Sequence, residues 1–398
     1  MNDATLNPPV SVSSIPALPI EIFDQIITEV VAQKRSAITA LMCVSHFWHD
    51  TIMQRPLLWA KVELYLSRSV DSFSPSYRMA RRSIDRSATV DLDITITIVR
   101  SKESCACARV FDSCGTCSRW TRANRTVLEV LSGEQGERLA RWKSLVVVHK
   151  DNSSVYCAKW VVEVISPILD LGGTPRLRVL LLVGPFPGQI NFHHTPLLEV
   201  LSSPDAKDII IKNFDHVRKL AFRGALPVCL STAPFTSLTH LALHIPILCS
   251  NLELPNVTIL DLIDSDSEEL SIALPILPRV QRISVVTRMA DFLLLLNIKH
   301  YPTWKSFCLR FDPKRRDLLP SHQFIEAATA FIDSNCSQIE ELDIDPWLID
   351  TIKANVRHFP NLKRILIRGA EPEGGFWYQF GVPCGDSFID NTPNLGSH

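Results

Sequence analysis

The most regular feature of the chain is a short apolar pattern that recurs through most of its length. In each copy an apolar residue is followed by two other residues, a second apolar residue, one other residue and a third apolar residue, as in Leu238, Leu241 and Leu243. The second and third apolar residues alternate with other residues, as in a strand with one buried face. The first apolar residue lies just before this strand. Copies in this phase begin at Trp142, Leu177, Val217, Leu238, Val257, Val280, Trp304, Ile339 and Leu362.

Helical segments follow some of these copies, as in "MADFLLLLNIKH" and "SHQFIEAATAFIDSN", and Pro or Asn often precedes a copy. Strand followed by helix at a spacing of about 20 to 40 residues predicts a stacked solenoid of leucine-rich-repeat type. We therefore expect one continuous parallel sheet, with an earlier, degenerate strand around "TVDLDITI". The pattern predicts that the following residues are buried in mid-strand: Leu241, Leu260, Ile283, Leu342 and Ile365.

The repeat departs from the regular form in two ways. The asparagine that usually follows such a strand is replaced, for example by Pro185, Pro246 and Ser265, and the spacing between copies is uneven. We therefore expect an irregular solenoid. An ordinary α/β domain with a parallel sheet remains the alternative.

The N-terminal part has helical periodicity instead. Pro19 suits a first helical turn, and Glu21 places a negative charge near the positive end of the helix dipole. Ile22, Ile26 and Val30 repeat at helical spacing, and a second apolar stripe lies beside them: Phe23, Ile27 and Val31. The apolar surface of this helix is thus wide enough for two contacts.

Two further helices are predicted before residue 60. The second contains Ile38, Leu41 and Met42, and the third is capped by Ser45 and ended by Pro56. Three short helices over about 40 residues form a unit too small to stabilise itself easily. The additional apolar face therefore predicts one of two contacts. Either it binds a partner protein, or the unit packs as an N-terminal cap on the domain that follows it in the chain.

The ordered set of residues in this unit resembles the F-box family. That family has an L-P-x-E-I start, an isoleucine one turn later, a central leucine, V-S-x-x-W, and then a proline and L-W. The matching residues, over about a tenth of the chain, are Leu18, Pro19, Glu21, Ile22, Ile26, Leu41, Val44, Ser45, Trp48, Pro56, Leu58 and Trp59.

The resemblance implies that the unit docks on a Skp1-type adaptor and, through it, on a cullin. Trp48 and Trp59 would mainly seal the three-helix unit and its junction with the domain that follows. The residues expected to take part in adaptor binding are Leu18, Pro19, Glu21, Ile22, Ile26, Val30, Leu41, Val44, Trp48, Leu58 and Trp59.

Together the two parts resemble fungal F-box substrate receptors, which predicts an α/β chain with an all-α F-box before the solenoid. We expect a flexible leader at 1–14, the F-box at 15–62, the solenoid at 63–370 with an insertion at 101–120, and a tail at 371–398. The resemblance implies a substrate-recognition subunit of a Skp1–cullin–F-box ubiquitin ligase whose repeat surface binds an unknown target protein. The alternatives are a repeat scaffold without ligase recruitment and a metal-binding protein.

Composition and charge narrow the function classes. Hydrophobic residues make up 46% of the 398 residues, so a large core can form. Lys and Arg total 41 against 42 Asp and Glu, which argues against nucleic-acid binding. The N-terminus lacks the features of a signal peptide, and no apolar run approaches the roughly 20 residues that span a bilayer. We therefore expect a cytoplasmic or nuclear protein with no membrane partner.

One cysteine cluster is the only candidate for cofactor chemistry. Cys105, Cys107, Cys114 and Cys117 form a C-x-C and C-x-x-C array, and four thiolates would close a tetrahedral structural zinc site. Free thiols in a surface insertion and a redox pair are the other interpretations. The chain has no phosphate-binding loop, dinucleotide fingerprint, zinc-protease motif or nucleophile elbow, so we expect no catalytic activity.

Overall fold

The computed structural model describes residues 19–33, 37–67, 70–99, 126, 129–149, 173–183, 190–192, 195–203, 209–211, 214–225, 235–249, 252–264, 272–298, 301–311, 320–349 and 359–367. Within these ranges the protein is a mixed α/β structure. Helices at the N-terminus lead directly into a large parallel sheet, as the sequence predicts at the level of fold class.

The N-terminal helices, which we call the helical unit (residues 19–59), are α1 Ile20–Gln33, α2 Ala37–Met42, α3 His46–Met53 and α4 Pro56–Trp59. Ser45 caps α3 as expected, because its side chain accepts a hydrogen bond from the backbone N–H of Trp48 at 3.3 Å. Pro56 was expected to end this helix. Instead α3 ends before it, and Pro56 lies in the first turn of α4, where its missing N–H costs nothing.

The rest of the described chain, which we call the strand array, consists mostly of short strands. Its longer helices are α5 Val70–Arg86, α6 Ala290–Leu295 and α7 His322–Asn335, and two short 3-10 helices span Leu139–Arg141 and Pro346–Leu348. Its strands are β1 Lys61–Ser67, β2 Leu92–Val99, β3 Trp142–His149, β4 Val179–Val183, β5 Ile190–Phe192, β6 Val200–Ser203, β7 Ile209–Ile211, β8 Lys219–Ala225, β9 His240–Leu248, β10 Ile259–Ile263, β11 Ile272–Ala273, β12 Arg282–Thr287, β13 Ser306–Phe311, β14 Glu341–Ile344 and β15 Arg364–Ile367.

Strand order in the main sheet follows the chain. The order is β1-β2-β3-β4-β6-β8-β9-β10-β12-β13-β14-β15, and β11 pairs with β9 at one side of this path. All these pairs are parallel, and β5 and β7 form a separate parallel pair. The array begins at Lys61, so the domain boundary expected after residue 62 falls inside β1.

All copies of the apolar pattern lie in one register. The second position of each copy forms a column across the sheet: Val62, Ile94, Leu145, Leu180, Leu201, Leu220, Leu241, Leu260, Ile283, Phe307, Leu342 and Ile365. Each side chain of this column except the last is at most 3% exposed. The pattern therefore predicted correctly which face of each strand is buried.

Two copies of the pattern, in β1 and β6, were not predicted, and the copy in β2 is irregular, as expected for the degenerate strand around "TVDLDITI". In β1 the copy is Trp59, Val62 and Leu64, directly after the helical unit. In β6 the third position is Ser203, so the copy that begins at Leu198 lacks its last apolar residue. In β2 a register shift places Leu92 opposite Trp142, which shortens the copy by one residue.

A tight turn precedes most rungs. In the turn before β10, for example, Leu254 accepts a hydrogen bond from the N–H of Val257 at 3.4 Å, with Pro255 between them. The equivalent bond before β4 joins Thr174 and Leu177 at 3.0 Å. Proline fixes the φ angle that the second residue of such a turn requires. This explains why proline recurs just before the apolar pattern.

The prediction that Ile365 is buried is wrong. Its side chain is 40% exposed, and Ile367 on the same strand is 47% exposed. β15 is the last strand of the described sheet, so no further rung in the described ranges covers these two side chains. Position in the array, and not the local pattern, decides their exposure.

The helices of the array lie on one side of the sheet. α6 and α7 occupy the two segments expected to be helical, and α5 follows β1. Ala80, Phe292 and Phe324, from α5, α6 and α7 respectively, belong to the same core cluster as the buried columns. The alternate strand positions point away from this core. We call the surface that they form the open face.

Candidate functional site

The helix α1 carries two apolar stripes with very different exposure. Phe23 and Ile27 are each 1% exposed and form the inner stripe with Val31. Ile22 and Ile26, which we call the outer stripe, are 45% and 39% exposed. Both stripes follow from residues four apart on a helix, which lie on the same face. The expected surplus apolar surface is therefore present on α1.

Aromatic contacts hold the inner stripe. The ring of Phe23 lies 4.5 Å from that of Trp48 in an edge-to-face arrangement, and 5.2 Å from that of Phe47. Phe23 thus joins α1 to α3, in a geometry that aromatic pairs favour. The remaining buried residues of this small core are Ile38, Ile52, Leu58 and Trp59.

The residues expected to bind an adaptor divide into three groups. Pro19, Glu21, Ile22, Ile26 and Val44 are exposed, and Val44 reaches 61%. Val30, Leu41 and Trp48 are half-buried. Leu58 and Trp59 are buried at 9% and 2%, so they support the unit from inside. Leu18 lies outside the described residues.

Three exposed apolar side chains of the helical unit were not predicted as part of this surface. Ile20, in the first turn of α1, is 43% exposed, and Leu57 is 74% exposed. Phe47 is 55% exposed, although its ring also packs against that of Phe23. The exposure of Leu57 could have been predicted from its position in α4, which is a single turn. One turn of helix can bury the side chains of only one side, and in α4 these are Leu58 and Trp59.

Trp59 connects the helical unit to the strand array. Its indole Nε1–H donates to the carbonyl of Ile52 at 3.1 Å, and the guanidinium of Arg86 lies 4.4 Å from the centre of its ring. Burial, followed by the neighbouring charge of Arg82, lowers the pKa of Arg86. The backbone N–H of Asp93 also donates to the carbonyl of Ala60 at 3.0 Å. The junction is therefore packed and hydrogen-bonded from both sides.

An ion pair fixes the start of α1 against the chain before α4. The guanidinium of Arg55 pairs with the carboxylate of Asp24, and both side chains are about one third exposed. Asp24 lies at the edge of the inner stripe that faces away from Ile22 and Ile26. The pair thus orients α1 without covering the outer stripe.

The open face carries a group of charged side chains on β9, β10, β13 and β14 and just after β14. His240 Nε2 lies 2.6 Å from Asp261 Oδ2, and both side chains are largely buried. Arg310 pairs with Asp343 and donates to Asp345 Oδ1 at 2.9 Å. The charges on these strands therefore neutralise one another.

This ion-pair cluster has the electrostatics of a structural network. Burial by itself lowers the pKa of Arg310, but Cys308, Asp343 and Asp345 raise it, and the net pKa lies above the ordinary value. Burial, together with the charge of Asp343, raises the pKa of the Cys308 thiol to about 11. Cys308 is thus protonated at neutral pH, the opposite of what a nucleophilic cysteine needs.

The predicted zinc ligands Cys105, Cys107, Cys114 and Cys117 lie outside the described residues. Within the described ranges, no three His, Cys, Asp or Glu side chains are grouped so that they could hold a metal ion. The zinc site stays a prediction. Elemental analysis of the purified protein tests it: about one zinc per chain is expected, and both Cys114→Ser and Cys117→Ser should release it.

Comparisons of this chain with protein-family models, with curated proteins and with solved structures found no match. Among the helices of the described ranges, none is long and apolar enough to cross a bilayer.

Proposed function

We propose that the protein is the substrate-recognition subunit of a Skp1–cullin–F-box type ubiquitin ligase. The observation that carries the proposal is the outer stripe of α1. A unit this small leaves Ile22 and Ile26 exposed beside a filled core, and it does so at the positions where the F-box resemblance expects the adaptor. The proposed F-box is the helical unit, and the proposed target-binding part is the strand array.

The outer stripe suits a helix-in-groove contact. Ile22 and Ile26 are one turn apart, and Val44 adds an exposed apolar side chain just before α3. Full burial of an isoleucine is worth roughly 1.5–3 kcal/mol, so covering the exposed part of two of them contributes on the order of 2 kcal/mol. That is sufficient to make the stripe a main determinant of affinity.

The strand array supports the interpretation as a divergent leucine-rich-repeat solenoid. Successive rungs lie side by side in chain order, and α5, α6 and α7 all contribute to the core on one side of the sheet. An ordinary doubly wound sheet would reverse its strand order and cover both faces with helices. The open face is then the surface available to a target.

The proposed role requires no catalytic residue in this chain. An adaptor on the helical unit and a target on the open face would be held at a defined separation, because Trp59 and Arg86 fix the junction between the two parts. Ubiquitin transfer would then be accelerated by proximity to a ubiquitin-loaded partner recruited through the cullin.

The test is a titration of purified Skp1-type adaptor against the full chain. We expect micromolar or tighter binding, and Ile22→Ala with Ile26→Ala should weaken it by about tenfold or more, since about 1.4 kcal/mol is tenfold. Thr28→Ala is the matched control, because Thr28 is exposed on the same helix but polar. Circular dichroism should be unchanged, since alanine favours helix.

If the intact protein does not bind the adaptor, the ligase role fails. The alternative function, a repeat scaffold that binds a partner without recruiting a ligase, then takes its place. If the double variant and the Thr28→Ala control bind equally well, the adaptor binds elsewhere and the outer stripe has no part in it.

A further inference from the structure

The first and last strands of the strand array differ in whether their core-facing side chains are covered. On β1, Val62 and Leu64 are at most 1% exposed, because α5 packs against this strand. On β15, Ile365 and Ile367 occupy the same two columns of the sheet but are 40% and 47% exposed. We call these two side chains, together with the outer edge of β15, the array end. Within the described residues it is an apolar surface without a partner.

The last rung has the sequence of an interior rung. Its three pattern positions, Leu362, Ile365 and Ile367, are all apolar, although the end unit of a solenoid normally presents a polar outer face. Leu342 and Ile344, beside them on β14, are each 1% exposed, so the apolar core runs up to the array end without a polar boundary. The outer edge of β15 also has no strand partner among the described residues. We therefore expect another segment to cover the array end.

The chain that continues from β15 contains a concentrated aromatic sequence. Residues 376–380, which we call the tail block, read Phe-Trp-Tyr-Gln-Phe, so four of five are aromatic, against 8% in the whole chain. They lie outside the described residues, and only the eight residues 368–375 separate them from Ile367. Aromatic side chains bury a large apolar area each. The tail block therefore has the composition that a cover for the array end requires.

The length of the connection decides how the tail block can reach the array end. A parallel strand beside β15 would need a crossover of a dozen or more residues, and only eight are present. An antiparallel return needs only a turn, which Gly369, Gly374 and Gly375 favour. At about 3.3 Å per residue, the four residues of β15 and the five of the tail block have similar lengths, about 13 and 17 Å. The tail block can therefore lie along the whole outer edge of β15.

Alternation along an extended tail block separates its rings. Phe376, Tyr378 and Phe380 would point to one side, and Trp377 to the other. The side with three rings suits the apolar side of the array end. A short tether also raises the effective concentration of the tail block into the millimolar range, which favours it over a second copy of the protein as the occupant.

We propose that the tail block folds back antiparallel to β15 and covers the array end. Its three aligned rings close the core of the strand array, and its backbone pairs with the outer edge of β15. This contact also removes the edge at which another chain would pair. The inference is independent of the ligase role, because it concerns the opposite end of the array from the helical unit.

The test is hydrogen exchange of the full chain, followed by mass spectrometry. The amides of β15 and of the tail block should both be protected in the wild-type protein. Phe376→Ser with Tyr378→Ser and Phe380→Ser, the triple-serine variant, should speed exchange in β15 by about tenfold or more, because the aromatic cover is lost. Phe388→Ser with Ile389→Ser is the matched control, since it removes apolar side chains from the same tail outside the block and should have no effect.

The reciprocal variant changes the other side of the contact. Ile365→Ser with Ile367→Ser should speed exchange in the tail block by about tenfold or more, even though the block itself is unaltered. Leu294→Ser with Leu295→Ser is the matched control, because these side chains of α6 are 67% and 54% exposed and lie away from β15 in the chain. It should leave exchange in the tail block unchanged.

Three results would each overturn the proposal: an unprotected tail block in the wild-type protein, exchange in β15 that the triple-serine variant leaves unchanged, and equal effects of variants and controls. Exchange in β15 should also be the same over an about hundredfold dilution of the protein, since the contact is within one chain. Protection that disappears on dilution would show that a second copy covers the array end instead. Adaptor affinity should be unaffected by all of these variants.

Discussion

The helical unit and the strand array are both rich in apolar residues but differ in how many of them they bury. In the array, Leu241, Leu260 and Ile283 are fully buried, because each rung is covered by the next on both sides. In the unit, Phe23 is buried while its neighbour Ile22 is 45% exposed. A stack of rungs supplies a partner for every apolar side chain. The short helices of the unit form only one small core, so part of their apolar surface stays exposed.

The last rung of the array obeys the same rule. Ile365 occupies the column of Leu342 but is 40% exposed, against 1% for Leu342. Both side chains are aliphatic and both occupy the same position of the pattern, but within the described ranges no strand lies beyond β15. We therefore expect substitutions in the array interior to affect folding, and substitutions on the outer stripe to affect binding.

The largest effect should come from a charge in the middle of the array. Leu260→Asp places a carboxylate in a column that has no polar partner, which should cost well over about 4 kcal/mol and prevent stable folding of the array. Gln281→Asp, on an exposed position one strand away, is the control. Urea unfolding followed by circular dichroism measures both, and similar midpoints for the two variants would contradict the one-core description.

Next in size is the loss of the junction tryptophan. Trp59→Ala removes a fully buried ring and its hydrogen bond to Ile52, and should cost about 3–5 kcal/mol. Trp48→Ala should also destabilise the unit, but by less, because Trp48 is only half-buried at the edge of the core. Thermal unfolding of both variants tests the order, and an equal or larger loss at Trp48 would show that the unit has a different core.

The two stripes of α1 allow the comparison within a single helix. Phe23→Ala should lower the free energy of unfolding by about 3 kcal/mol or more, whereas Ile22→Ala should change it by less than about 1 kcal/mol. The reason is that Ile22 has few contacts to lose in the free protein. Chemical unfolding of the two variants measures this, and a stability loss at Ile22 as large as that at Phe23 would mean that the outer stripe is covered by the protein itself.

The smallest effect concerns Asp93, where the array meets the unit. Burial raises the pKa of Asp93, although Lys143 and Lys61 oppose this. A raised acid pKa means that the folded state holds its proton more tightly. Stability therefore falls as the pH rises from the unfolded pKa, about 3.9, through the folded pKa.

Asp93→Asn removes this dependence, so the variant should be slightly more stable than wild type at pH 7. The advantage should disappear below about pH 4, where the wild-type carboxyl is protonated in both states. Unfolding midpoints at the two pH values test the sign. A variant that is less stable at pH 7 would show that the attraction of Lys143 and Lys61 outweighs burial.

The sequence by itself determined the phase of the array. Alternation of apolar and polar residues is local, so the pattern predicted the buried face of β9, β10 and β12 without knowledge of their neighbours. It missed the rung of β6 because Ser203 breaks the pattern, yet the rungs on both sides hold that strand in register. The two stripes of α1 were predictable for the same local reason.

Only the tertiary structure decided which surfaces have partners. Periodicity marked both stripes of α1 as apolar, but packing of Phe23 against Trp48 selected the inner one. The ion pair of Arg310 with Asp343 likewise joins side chains of two different strands, β13 and β14. Such neighbours are set by strand register across long stretches of chain. A local pattern records which way a side chain points, and burial and charge pairing depend on what the fold places opposite it.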